Sequence, residues 1–168
     1  MSQFEYNLKS LPQSEEVVLL RLFNDREQLV SLIPNIPGKS APLRVFHHIT
    51  SERGFIDVES AQEGLNLFGE YVEKARNHPG RHKKLELLMN LKANESFRVQ
   101  TVTSINKNLL RNITDHKANA KETEAFIELL NLGLVRAAEK VCGVWEPQTY
   151  TIDGVLNYFG THQNLMLK

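Results

Sequence analysis

The sequence predicts an α+β fold: a small, mostly antiparallel sheet in the order βββααβ, packed on a helical pair and followed by a helical C-terminal extension. Three observations carry this expectation. Residues 17–23 (VVLLRLF) and 28–33 (QLVSLI) are short runs rich in β-branched and aliphatic side chains, parted by the polar Asn24-Asp25-Arg26-Glu27, and the pair reads as an antiparallel hairpin. Residues 57–91 read as two amphipathic helices that meet at a basic corner, His78-Pro79-Gly80-Arg81-His82. Beyond residue 103 the spacing becomes helical, which divides the chain into an α+β domain over 1–103 and a helical extension over 104–168 packed on it.

Taken in order, the polar leader, punctuated by Pro12, predicts no element before the first strand. Residues 34–42 hold three prolines, which lack the N–H a central strand needs, and are expected to form a loop. Residues 43–49 (LRVFHHI) alternate and read as a third strand, with Leu43, Val45 and His47 on one face and Arg44, Phe46 and His48 on the other. Residues 51–55 connect to a helix with Asp57 at its N-cap and apolar residues at Val58, Ala61, Leu65, Phe68, Val72 and Ala75. Pro79 and Gly80 stop that helix near Asn77 and start the next near Arg81. After a turn at 93–95, residues 96–103 (SFRVQTVT) have strand composition.

In the last third, residues 104–116 carry Ile105, Leu109, Leu110 and Ile113 at helical spacing. Residues 121–142 predict the clearest helix, striped by Phe126, Leu130, Leu134, Ala137 and Val141 and stopped at Gly143. A corner at 145–147, an extended piece at 148–152 and a helical turn at 154–159 complete it, with residues 161–168 frayed.

Composition bounds the function. Twenty basic and twenty acidic residues balance, so net charge gives no reason to expect nucleic acid or an anionic membrane, and only a local patch supports either. Hydrophobic residues are 41% and charged residues 24%, within the globular range, and no apolar run is long enough to span a bilayer. The single Cys142 excludes an internal disulfide, and the N-terminal residues lack signal-peptide character, so the expected setting is cytoplasmic.

Candidate chemistry is sparse. Gly38-Lys39-Ser40 resembles the end of a phosphate loop, but Ile33 stands where the first glycine belongs and Pro42 follows. The strongest local charge is the corner of Arg76, His78, Arg81, His82, Lys83 and Lys84 with Lys74 beside it; together with Lys39 it forms the expected anion-binding set. Glu70, Glu73 and Glu86 are close enough to neutralise part of it, and no aromatic residue interleaves with these cations. Adjacent His47 and His48 point oppositely from a strand, and Pro79-Gly80 breaks the spacing of His78 and His82, so no metal or other cofactor is expected. Cys142 at a helix end lacks a base. Phe126, Leu130 and Leu134 on the long helix, with Trp145, Tyr150 and Tyr158 near the chain end, form the expected partner-binding set.

Residues 34–39 (PNIPGK), Val45-Phe46, 61–70 (AQEGLNLFGE) and 75–82 (ARNHPGRH) resemble a bacterial family catalogued as domain of unknown function 2322. Lys83-Lys84 departs from the Pro-Asn expected there. The resemblance covers residues 1–102 and implies no activity. The first functional reading is therefore a non-enzymatic cytoplasmic adaptor of bacterial or phage type, with a protein partner or a second copy of itself; the alternative is a binding module for a phosphorylated small molecule or nucleic acid.

Overall fold

The computed structural model describes residues 1–162, so residues 163–168 of the expected frayed tail lie outside it. The α+β class holds. The elements run α1 (Gln3–Ser10), β1 (Val17–Phe23), β2 (Leu29–Pro34), α2 (Ser40–Thr50), β3 (Phe55–Ile56), α3 (Val58–Phe68), α4 (Tyr71–Asn77), α5 (Lys83–Met89), β4 (Phe97–Thr103), α6 (Leu109–Thr114), α7 (Ala120–Asn131), β5 (Ala138–Val141), β6 (Val144–Pro147) and α8 (Thr149–His162). Strands β2, β1, β4 and β3 form one antiparallel sheet in that spatial order, while β5 and β6 pair separately as a hairpin.

The sheet is the middle layer. Central strand β1 is buried from Val17 to Leu22 because both faces are covered. Val17, Leu20 and Leu22 join one core with Leu43, Phe46, Ile49, Phe68, Leu85 and Leu88, beneath α2, α3 and α5. Val18 and Leu19 join a second core with Val102, Leu110, Ile113, Phe126 and Tyr150, beneath α6, α7 and α8. Arg21 also enters the second layer: its guanidinium pairs with Glu139 of β5 and donates to the Leu134 carbonyl at 2.8 Å. Both charged side chains are buried, so each compensates for the other's loss of water.

Several expected elements take another form. Residues 43–49 are helical, not a third strand: Leu43, Phe46, Ile49 and Thr50 bury one face at helical spacing, and Pro42 sits in the first turn, where its missing N–H has no partner to lose. The βββααβ order therefore fails at its third element, and the edge strand is the two-residue β3. The leader forms α1 under a capping box in which Ser2 and Glu5 exchange side-chain bonds with each other's backbone N–H. The helix expected from Asp57 to Asn77 breaks at Gly69, whose φ of 54° belongs to the left-handed region and whose Cα faces Gln3 of α1.

The largest correction concerns residues 121–142. The helix ends at Asn131, and Gly133, at φ 68°, turns the chain so that Leu134 and Val135 both donate to the Leu129 carbonyl. Residues 138–147 then make a hairpin whose two-residue turn, Cys142-Gly143, has positive φ at both positions, as a type I′ turn requires. The C-terminal segment thus contains strands as well as helices. In the other direction, all of the expected extended piece at 148–152 except Gln148, and the chain from there as far as His162, belong to one helix, α8.

Candidate functional site

Two turns that are forty residues apart in the chain meet at one surface. The β2–α2 turn carries Lys39 at the N-cap of α2, and the α4–α5 turn carries Arg81, His82, Lys83 and Lys84 around the start of α5. Pro42 and residues 80–85 line a common concavity of about 320 Å³. Lys84, half-buried, has its ammonium pushed below the usual lysine range, first by burial and then by the positive charge of Lys39 and of Lys83, with Glu146 of β6 opposing.

Of the expected anion-binding residues, Arg81, His82, Lys83 and Lys84 line the concavity, Lys39 stands outside the lining but near enough for its charge to act on Lys84, and Arg76 and His78 do not join them. Arg76 pairs with Glu73 on the solvent side of α4, and the His78 ring bonds at 3.2 Å to the Lys74 carbonyl. Lys39, Arg81, Lys83 and Lys84 form no salt bridge among the described residues, although this chain carries as many carboxylates as cations. Glu86 is nearby but accepts the Gly80 N–H at 2.7 Å, which ties the turn to α5. Glu70 faces away: its own backbone N–H holds its carboxylate below the usual range, with Ser2 and Phe4 of α1 assisting against some desolvation.

An aromatic ring does stand among the cations, contrary to the expectation from chain order. Tyr71 lies beneath the Lys74 ammonium at 4.2 Å and meets the His82 ring edge-on at 6.2 Å. Its half-buried ring also contacts Phe4, so it anchors His82 and offers no free stacking face on that side.

The expected partner-binding residues separate by burial. Phe126 and Tyr150 are core residues, and Leu130 and Leu134 pack against that core. Tyr158 stacks on His162 at 4.2 Å, while Trp145 is 69% exposed. Sequence reasoning missed the outward stripe of α8, Ile152, Leu156 and Phe159, which are 63%, 59% and 48% exposed. The signal was present as i, i+4, i+7 spacing, hidden by reading residues 148–152 as extended.

His47 and His48 project from a helix rather than a strand. His47 Nδ1 lies 3.1 Å from Ser14 Oγ, and His48 Nε2 lies 3.4 Å from Glu63. No group of three or more ligating side chains is gathered for a metal among the described residues. No described helix is long and apolar enough to cross a membrane.

A family model described as an uncharacterized protein conserved in bacteria, DUF2322, matches residues 4–102. That match spans α1 to β4, including both turns of the basic surface. No curated protein and no solved structure matches the chain.

Proposed function

The chain belongs to the uncharacterised bacterial family DUF2322, and from that premise we propose that it is a cytoplasmic, non-enzymatic binding module for a phosphorylated small molecule, held at the surface shared by Lys39, Arg81, Lys83 and Lys84. One observation carries the reading: Arg81, Lys83 and Lys84, with the charge of Lys39 acting on Lys84 from another turn, form no salt bridge among the described residues of an electroneutral chain, Glu146 of β6 opposing them only at longer range. Mutual repulsion and partial burial both disfavour such a cluster, and a bound phosphate offsets both. The concavity gives the ligand a wall on Pro42 and Leu85.

Melting of the protein is measured against inorganic phosphate, a hexose phosphate and a short single-stranded oligonucleotide. The reading expects the midpoint to rise with hexose phosphate, the rise to shrink with salt, and Arg81→Glu or Lys39→Glu to abolish it. Stabilisation by the oligonucleotide alone replaces the small-molecule reading with nucleic-acid binding. A midpoint indifferent to all three ligands overturns both.

A second reading, an adaptor that docks an amphipathic helix of another protein, is favoured by the exposed α8 stripe. Its test is capture of a defined partner that Leu156→Glu abolishes while the melting midpoint stays put. A protein that remains monomeric by light scattering and captures nothing counts against it.

A further inference from the structure

A second concavity, of about 380 Å³, opens between the sheet and the β5–β6 hairpin, and its lining includes the carboxylates of Glu27, which pairs with Arg98, and of Glu139. Its floor is Arg21 of β1, 4% exposed, with Gln100 directly across from it on β4. Arg21 uses Nε and Nη2 on Glu139 and on the Leu134 carbonyl, and its Nη1 finds no acceptor among the described residues. The Gln100 amide also makes no hydrogen bond there, and Lys140 at the rim makes no salt bridge. These three donors reach water at the concavity and are free to meet an acceptor that enters it.

The wall supplies the other half of a ligand site. Trp145 stands opposite Lys140 in the hairpin register, is 69% exposed, and among the described residues is neither stacked on another ring nor covered by a cation. Leu132 extends the same apolar wall. Trp145 and Leu132 thus give an apolar face to a lining that is otherwise largely polar, in a volume of small-molecule size.

We propose that this concavity binds a small planar anion, its ring laid on Trp145 and its anionic group met by Arg21 and Lys140, with Gln100 bonding the ring edge. An aromatic carboxylate and a nucleoside monophosphate share this chemistry. The site does not rest on the basic surface of the α4–α5 turn, and it stands if that reading fails.

Trp145 is the chain's only tryptophan, so its emission reports on the pocket directly. Wild-type protein is titrated with nicotinate, AMP, uncharged nicotinamide and inorganic phosphate. The proposal expects a saturable change with nicotinate or AMP, whichever source is correct, and none with nicotinamide or phosphate. Lys140→Glu and Gln100→Ala, whose side chains make no hydrogen bond or salt bridge among the described residues, are expected to weaken binding about tenfold at unaltered melting midpoint. Arg81→Glu is expected to leave it unchanged. The proposal is overturned by an absence of saturable response to both ring-bearing anions, by wild-type affinity in the two pocket variants, by an equal response to nicotinamide, or by loss of the signal in Arg81→Glu.

Discussion

His47 is a half-buried imidazole in contact with the Ser14 hydroxyl, and burial, with a smaller push from the charge of His48, holds its pKa below the ordinary 6.5. In the fold it therefore stays neutral where the unfolded chain already takes up a proton. The unfolded state binds more protons between that value and the depressed one, so the contribution of His47 to stability is full above about pH 7 and declines as pH falls. Urea midpoints at about pH 7.5 and about pH 5.5 should differ more for the wild type than for His47→Gln; equal differences would remove His47 from the account. Tyr150 poses the opposite case. Its buried hydroxyl has no hydrogen-bond partner among the described residues, and burial drives the phenol pKa far upward. Tyr150→Phe removes a desolvated polar atom while keeping the ring, so its midpoint should hold or rise, by up to about 1 kcal/mol. A clear loss would show that the hydroxyl is bonded in solution.

Among the elements, α8 is fixed on α7 by a missing side chain. A Cβ on Gly154 would sit 2.0 Å from the Phe126 ring, which is itself fully buried, whereas a Cβ on Gly160 of the same helix meets nothing within 4 Å. Helix propensity favours alanine at both sites by about 1 kcal/mol. Gly160→Ala should show that gain, and Gly154→Ala should instead destabilise by roughly 2 kcal/mol, because overpacking against a ring with no room to move outweighs it. Chemical denaturation of the two variants checks the contrast; matching signs would mean α7 and α8 are not in close contact. The same elements explain what was legible beforehand. β1, β2 and β4 were readable because their composition and length admit little else. Residues 43–49 alternate and are β-rich, yet their apolar set fits a helix equally well, and only packing beneath the sheet selects it. Residues 121–141 keep helical spacing straight through Gly133, so periodicity concealed a break that a left-handed glycine made. The S-x-x-E box of α1 was readable and overlooked. Of the basic surface, the residues were visible in the sequence, but their convergence depends on where β2 delivers Lys39 relative to α5, which local patterns do not encode.

At the scale of the whole molecule, the chain builds one face of the sheet with α1 to α5 and then leaves β4 at Thr103 to cover the other with α6, α7, the hairpin and α8. Apolar packing joins the second layer to the sheet, but one contact has a specific geometry: Arg21 on the central strand with Glu139 on the hairpin, 118 residues later, both nearly inaccessible to water. Arg136 adds a weaker contact to the same carboxylate at 3.6 Å from the exposed side. Two burials of charge have been exchanged for one well-bonded pair, so the net gain over an apolar pair is small, while the loss of one partner is large. Glu139→Ala strands a guanidinium under the hairpin and should cost roughly 3–5 kcal/mol, a sizeable part of the stability of an ordinary domain. The double replacement Arg21→Met, Glu139→Leu should recover most of that loss, because neither charge then needs a partner. Denaturant midpoints of Arg21→Met, of Glu139→Leu and of the double variant close the cycle. Recovery in the double variant assigns the pair the task of setting where the hairpin docks. Additive losses would instead mean that Arg21 and Glu139 stabilise the fold separately, and that the second layer is held to the sheet by its apolar contacts alone.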